Sequence, residues 1–224
     1  DAGRGALVTG VLQACADTKR WYFLVDLRET ELDASSIKTT NGSWGSAYAP
    51  WLVTVNNLTV PPSGAIAGIC ASRQPWEAPS NVAPAGVTNV SQAIGGQLMA
   101  EMLRGTPPVN PVRSFAVQGP LVWGARTLDG NSPDYRYIQS RRTLIYIEQS
   151  IKAALNQFTF APNDASTWSA AKAAAESILT EIWNQGGLMG GKPEEAYTVQ
   201  IGFGSTMTQN DIDNGQMIML VMVA

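Results

Sequence analysis

The feature that most constrains the fold is a helical pattern followed at once by a strand pattern that is apolar on both faces. Apolar residues recur at helical spacing over residues 6–16, and residues 21–27 read WYFLVDL. Such a continuous run of aromatic and branched side chains is typical of a strand that is covered on both sides of a sheet. The pair therefore favours the α/β fold class.

The rest of the chain predicts more strands and longer helices. Strand patterns occur at residues 48–55, 109–117, 121–126, 196–203 and 216–223. Pro50 confines the first of them to a sheet edge or a bulge. Helical patterns occur at residues 64–73, 91–103, 134–158 and 163–184. We predict a mixed, largely antiparallel sheet (α/β or α+β) packed by long helices, in a single domain over residues 1–224.

Four helix ends and connections can also be predicted. Ser63 precedes the helical pattern at 64–73 and is expected to be its N-cap, and Asn163 or Asp164 is expected to cap the last long helix. Residues 29–46 are polar and are expected to form a surface connection. Residues 210–215 are expected to form a turn between the last two strands.

Composition excludes several classes of function. The 224 residues contain no histidine, so a histidine-dependent triad or a histidine metal site is ruled out within the chain. The net charge is −3 and only 15% of residues are charged, which does not suit binding to a phosphate backbone. The seven tryptophans suit either core burial or stable protein contacts. Cys15 and Cys70 match no metal spacing and are expected to be free thiols.

Three short motifs suggest ligand sites but fail on spacing. Residues 186–192 resemble a phosphate loop, yet Pro193 takes the position of the hydroxyl that would hold Mg²⁺, and the loop follows a helix. Asp211 and Asp213 lack the glycine and glutamate of a calcium loop. Glu194 and Glu195 are expected to be strand neighbours that point to opposite faces, so they are not expected to pair as a general acid and base. None of the three is predicted to bind a metal or cofactor.

Two further readings of the charged residues stay open. Arg141 and Arg142 are neighbours on a predicted helix, where each can hold a carboxylate from another element, or one can form a salt bridge while the other is solvated. A carboxylate-dependent enzyme is an alternative that uses Asp129, Asp134 or Glu148, with its substrate near Trp123. It requires two converging carboxylates, one with a strongly raised pKa.

A series of segments in a fixed order resembles the tail sheath proteins of contractile bacteriophages and related contractile injection systems. The first are YAPW at 48–51, VPPSGAIAG at 60–68, VNPVR at 109–113 and VWGARTL at 122–128. The later ones are YI at 137–138, RR at 141–142, YIEQSI at 146–151, FAPN at 160–163, Trp168, WNQGGL at 183–188 and NDIDNG at 210–215. At residues 73–77 the chain reads RQPWE, where the family usually has a fuller Asp-Arg-Gly sequence.

The resemblance implies a structural subunit and not an enzyme, with no cofactor. Such subunits stack as six-fold rings around an inner tail tube, contact baseplate and terminator proteins, bind no nucleic acid directly, and contract to drive the tube through the host envelope. They are assembled in the host cytoplasm and lie in the virion tail. Terminal arms add strands to the sheets of neighbouring subunits. The candidate contact residues lie on the long helix and the final strand: Arg141, Arg142, Glu148, Lys152, Gln216, Ile218 and Leu220.

The family resemblance also bears on the ends of the chain. The chain starts at Asp1 without methionine and stops inside an apolar run at Ala224. Members of the family usually have variable outer domains and a further strand. We therefore expect a fragment of a longer subunit, monomeric on its own.

Overall fold

The computed structural model describes residues 2–37 and 40–224. The chain divides into two compact units, residues 1–145 and residues 146–224. The boundary lies within a long helix, α4 (Ile138–Leu155). One domain over the whole chain was expected from the sequence, and this stays a prediction.

Among its described residues, the first unit contains three α-helices, seven strands, a 3₁₀ turn (Gly42–Trp44) and the start of α4. Its helices are α1 (Ala2–Thr18), α2 (Ser63–Ala71) and α3 (Gly96–Arg104). Its strands are β1 (Phe23–Asp26), β2 (Gly45–Ala49), β3 (Leu52–Thr54), β4 (Thr59–Val60), β5 (Val87–Val90), β6 (Val109–Phe115) and β7 (Gly119–Val122). The strands form a four-stranded sheet in the order β1-β2-β6-β7 and a three-stranded sheet in the order β4-β3-β5.

The four-stranded sheet is built around β2, which is buried along its whole length. Strand β2 pairs in parallel with β1 on one side and with β6 on the other, and β7 pairs antiparallel with β6. Successive side chains of a strand point to opposite faces. Accordingly Ala47 and Ala49 belong to one hydrophobic core and Tyr48 belongs to the other. The sheet therefore separates two cores, as a strand covered on both faces requires.

The first core lies where α1 packs on the four-stranded sheet. It includes Val8, Leu12 and Cys15 of α1 and Val25 of β1. A Cβ atom at Gly45 would lie 2.7 Å from Cδ2 of Leu12, so a larger residue at this position does not fit. The small residue lets the helix approach the start of β2 closely.

The second core lies on the opposite face and joins the two sheets of the first unit. It brings Tyr48 and Val112 of the larger sheet together with Leu52 of β3 and Ile66 of α2. Helix α2 begins beside β1, where the Asp26 carboxylate accepts hydrogen bonds from the Ser63 amide (3.0 Å) and hydroxyl (2.6 Å). The predicted cap at Ser63 is therefore wrong in detail: Ser63 is the first helical residue, and a distant carboxylate satisfies its amide.

A buried asparagine cross-links the middle of the larger sheet to the segment after β7. The side-chain amide nitrogen of Asn110 donates to the carbonyl oxygens of Ala47 (3.1 Å) and Arg126 (2.7 Å). Its side-chain oxygen accepts from the Arg126 amide at 2.7 Å. A Cβ atom at Gly124 would lie 2.6 Å from that oxygen, so the segment passes close over Asn110. The residue thus satisfies three backbone groups, one of the buried Ala47 in β2 and two of the half-buried Arg126.

The second unit consists of the end of α4, further helices and a two-stranded sheet. Its elements are a 3₁₀ turn (Asn156–Phe158), α5 (Ala165–Asn184), α6 (Pro193–Ala196), β8 (Tyr197–Ile201), α7 (Gln209–Asp213) and β9 (Met219–Val223). The predicted cap of α5 is confirmed at Asp164, whose side chain accepts from the Thr167 amide. Strands β8 and β9 pair antiparallel.

The predicted fold class is confirmed, because the chain is mixed α/β and four of the six strand pairings between described residues are antiparallel. The sheet is divided into three, however, and the predicted strand at 48–55 is wrong. It breaks at Pro50 into β2 and β3, which belong to different sheets. Strands β4 and β5 were not predicted, since one has two residues and the other, VTNV, is half polar.

Two predicted connections are also wrong. The segment 29–46 was expected on the surface, but Ala34, Ile37 and Trp44 are buried in the first core. Lys38 and Thr39 of this segment lie outside the described residues. The segment 210–215, predicted to be a turn, contains most of helix α7 (Gln209–Asp213), which begins with a capping box between Thr208 and Asp211.

We expect Asn110→Ala to lower the free energy of unfolding by roughly 3 kcal/mol, because one buried and two half-buried backbone groups lose their hydrogen-bond partner. Chemical denaturation followed by tryptophan fluorescence measures the change. Asn131→Ala is the matched control, since Asn131 is exposed and makes one long contact of 3.5 Å. A loss below about 1 kcal/mol for Asn110→Ala would contradict the role assigned to this residue.

Candidate assembly surface

The β8–β9 hairpin of the second unit has one packed face and one exposed face. Val199 of β8 is buried where the strand packs on α5, whose Ala175 and Leu179 are also buried. On β9, the side chains that point to the same face are half-buried. They include Val221, which pairs with Val199. The apolar packing of the hairpin on the unit therefore uses this face.

The opposite face of the hairpin is apolar along β9 and polar along β8. Leu220 and Met222 are 46% and 47% exposed, and Ile218, just before the strand, is 41% exposed. Across from them stand exposed polar residues, with Gln200 opposite Leu220 and Thr198 opposite Met222. Three large apolar side chains in a row on one side of a short strand are typical of a contact surface.

The two edges of this hairpin are open in the part of the chain that the structure describes. There β8 pairs only with β9, and β9 only with β8. An unpaired edge presents a row of amide and carbonyl groups to any strand of suitable length. The residues of β9, MLVMV, include no charge and no proline that would discourage such pairing. The hairpin can therefore accept a strand from another chain.

The entry to β9 is held in place by hydrogen bonds to its backbone. The Asn163 side chain donates to the carbonyl of Gln216 at 3.0 Å, and the Thr206 hydroxyl donates to the carbonyl of Ile218 at 2.6 Å. Of the three candidates proposed on this strand, Leu220 lies within β9, while Gln216 and Ile218 precede it. All three are exposed. Their role as contacts stays a prediction.

Arg141, a proposed contact on the long helix, is buried in the first unit. Its guanidinium carbon lies 4.2 Å from the centroid of the Trp44 ring and 3.9 Å from that of Tyr135. One of its terminal nitrogens donates to the Ser43 hydroxyl at 2.9 Å. The expectation that this residue lies on a surface is wrong, because aromatic faces stabilise its charge inside the unit.

Arg142 is half-buried and also points into the first unit. Its Nη2 atom donates to the backbone carbonyl of Cys70 at 2.6 Å, which ties α4 to the end of α2. The structure therefore favours a contact of this guanidinium within the first unit over a contact with another chain. A planar guanidinium of this kind supports the helix instead.

Glu148 and Lys152 lie on the part of α4 that belongs to the second unit. Both are exposed and they stand one helical turn apart. They are therefore accessible to a partner, and their role as contacts stays a prediction. The apolar residue Met222 was missed among the sequence candidates, although its alternation with Leu220 and Ile218 is a signal visible in the sequence.

The carboxylate-enzyme alternative gains no support from the electrostatics. Among the described residues, the pKa shifts of carboxylates are all downward. The pKa of Glu31 is lowered. Burial acts to raise it, but the hydrogen bonds from Arg4 and Arg28 outweigh the effect of burial. Hydrogen bonds from Ser35 and Thr208 lower the pKa values of Asp33 and Asp211. No described group of three or more carboxylate or thiol side chains could hold a metal ion.

The glycine-rich loop before α6 is closed by its own neighbours. The Trp183 indole donates to the carbonyl of Gly190, and the Gly191 amide donates to the Glu195 carboxylate, both at 2.9 Å. Glu194 and Glu195 lie in the first turn of α6, so their predicted place in a strand is wrong. No helix among residues 2–37 and 40–224 is both long and apolar enough to cross a membrane.

Comparisons with known proteins find a family model and a curated protein that are similar to parts of this chain. Residues 131–224 match the family model described as the phage tail sheath C-terminal domain. The chain is 32% identical over 143 residues to the tail sheath protein of Vibrio phage KVP40, covering 59% of this chain and 20% of that protein.

Solved structures of contractile assemblies share the fold. One subunit chain in the anti-feeding prophage baseplate is 37% identical with a TM-score of 0.85, and one in the contracted anti-feeding prophage helical sheath is 36% identical with a TM-score of 0.83. Each match covers 96% of this chain, which spans 60% and 61% of those chains. A sheath tail protein of Desulfitobacterium hafniense, 12% identical, shares the fold with a TM-score of 0.69 over 100% of this chain and 54% of its own. The resemblance found in the sequence is confirmed.

We expect Arg141→Lys to lower the free energy of unfolding by about 2 kcal/mol, because an ammonium cannot stack between two rings. Arg20→Lys is the matched control, since Arg20 lies 6.0 Å from the exposed Trp21 ring. We expect that change to stay within about 0.5 kcal/mol. Equal effects of the two substitutions in chemical denaturation would refute the stacking role of Arg141.

Proposed function

We propose, from the membership of residues 131–224 in the phage tail sheath C-terminal domain family, that the chain is the conserved core of a contractile tail sheath subunit. The observation that carries this proposal is the match to the contracted anti-feeding prophage sheath over 96% of the chain at 36% identity. The similar proteins are structural sheath proteins. We therefore propose a mechanical role without catalysis.

In this role, subunits stack as six-fold rings around an inner tail tube. Contraction converts one set of contacts between rigid bodies into another and needs no chemical reaction within the subunit. The two packed cores and the Asn110 cross-link support the rigidity that such a mechanism requires. The movement then drives the tube through the host envelope.

The surfaces proposed for these contacts lie on the second unit. Strands from the arms of neighbouring subunits are proposed to pair with the open edges of the β8–β9 hairpin. The exposed face of β9 is proposed to be covered in the same event, because burial of Ile218, Leu220 and Met222 removes apolar surface from water. Glu148 and Lys152 are proposed to form charged contacts on α4, in addition to this mainly apolar surface.

The proposed partners follow from the same role. They are other sheath subunits, the inner tail tube protein, and the baseplate and terminator proteins at the two ends, with no direct contact to nucleic acid. The proposed location is the virion tail, after assembly in the host bacterial cytoplasm. The 224-residue chain on its own is proposed to be monomeric.

We expect Leu220→Asp with Met222→Asp to leave the fold intact and to prevent assembly. Sedimentation and electron microscopy of the complete subunit, expressed with its tube partner, measure the polymer. We expect at least about a tenfold loss, because a buried carboxylate costs more than the roughly 1.4 kcal/mol that a tenfold change represents.

The control for this experiment is Val55→Asp, which places the same charge at a residue of the first unit that is 66% exposed. Circular dichroism verifies that each variant is folded. Wild-type polymer from the folded β9 variant would refute the proposed contact. Failure of the unmodified complete subunit to form rings or tubes under any condition would refute the sheath role itself.

A further inference from the structure

A cleft of about 220 Å³ lies on the first unit, between the segment that follows β1, helix α3 and the start of β6. Its floor is apolar. Met102 and Val109 are buried members of the first core, and Leu32 and Leu98 pack against that core while they stay partly exposed. The cleft therefore leads from the surface of the unit to the side chains of its first core.

Two carboxylates line the same cleft. Asp33 and Glu101 are both exposed, and no lysine or arginine is among the described residues that line it. Oδ1 of Asp33 accepts hydrogen bonds from the Ser35 amide (3.0 Å) and hydroxyl, and Oε1 of Glu101 accepts one from the Gln97 side-chain amide at 3.1 Å. The second oxygen of each carboxylate is left to accept from a ligand. We call this site the acidic cleft.

The acidic cleft suits a ligand with an apolar stem and a cationic head. The hydrogen bonds from Ser35 lower the pKa of Asp33, so this carboxylate is ionised at neutral pH. A lysine side chain combines a flexible four-carbon stem, which packs on apolar surface, with a compact ammonium. The three rotatable donors of an ammonium can serve two carboxylates at once, whereas the planar fork of arginine matches one carboxylate. Lysine is therefore the better match.

We propose that the acidic cleft receives a lysine side chain from another protein chain of the assembly. The lysine stem lies against Leu32, Leu98 and Met102, and its ammonium contacts Asp33 and Glu101. The proposal rests on the proposed function for the assembly that supplies the second chain. It adds a charged docking point on the first unit to the apolar surface proposed on the second.

The 224-residue chain on its own tests the chemistry of the cleft. The probe is n-butylammonium, which has the four carbons and the ammonium of a lysine side chain, and n-butanol is the neutral control ligand. We expect n-butylammonium to shift the NMR signals of the cleft methyl groups in a saturable manner. We expect n-butanol to need at least about tenfold higher concentration, because it lacks the charge-assisted contacts. Equal responses to the two ligands, or no response, would overturn the proposal.

A matched pair of variants shows whether the two carboxylates cause the preference. Asp33→Asn with Glu101→Gln removes both charges with little change in shape, and we expect the preference for n-butylammonium to disappear while the response to n-butanol stays. Asp17→Asn with Glu29→Gln is the control, because both residues are exposed and neither lines the cleft. We expect this control to keep the preference. Equal losses in the two variants would show that net charge, and not the cleft, attracts the amine.

Carbodiimide cross-linking tests the protein partner, because it joins a carboxylate to a lysine amine in contact with it. Complete subunits, some of them labelled with ¹⁵N, are assembled with the tube partner, cross-linked and digested for mass spectrometry. We expect Asp33 or Glu101 to be joined to a lysine of a different chain. Polymer in which these residues are joined only within one chain, or not at all, would overturn the proposal and leave the sheath role intact. If no polymer forms, the sheath role fails, and the amine titration decides the chemistry of the cleft.

Discussion

The burial of β2 on both faces is the constraint on which the first unit depends. A strand in this position must carry small side chains on the face where α1 packs, and it must carry a side chain large enough to fill the core on the other face. Gly45 and the alanines at 47 and 49 serve the first requirement, and Tyr48 serves the second. Both flanking pairings are parallel and bring together distant parts of the chain, so the strand organises the unit around itself.

The second unit differs from the first, because its hairpin is not covered on both faces. Its hairpin is packed through one face, while the other face and both edges are available among the described residues. Apolar surface and unpaired strand edges are hazards in a protein that acts alone. In a subunit of an ordered polymer they are the sites of association. One unit with two packed cores and one unit with an exposed apolar face and unpaired strand edges therefore agree with the proposed mechanical function.

Local signals in the sequence were reliable where the structure is local. The periodicity at 163–184 and the cap at Asp164 predicted α5 correctly, because a helix and its cap depend on residues close in sequence. Arg141 shows the limit. Its neighbours in sequence suggested a charged helix face, but its surroundings are Trp44 and Tyr135. The spacing of charged residues along the helix gives no indication that Trp44 and Tyr135 cover this guanidinium.

The sequence by itself determined the α/β class, the long helices, the absence of histidine chemistry and the resemblance to contractile tail sheath proteins. Those properties follow from composition, from short periodicities and from the order of motifs. Only the tertiary structure decided that residues 48–55 divide between two sheets, that Asp26 caps α2, and which face of β9 is exposed. Each of these depends on contacts between residues far apart in the chain, and a local pattern carries no information about which distant partner is chosen.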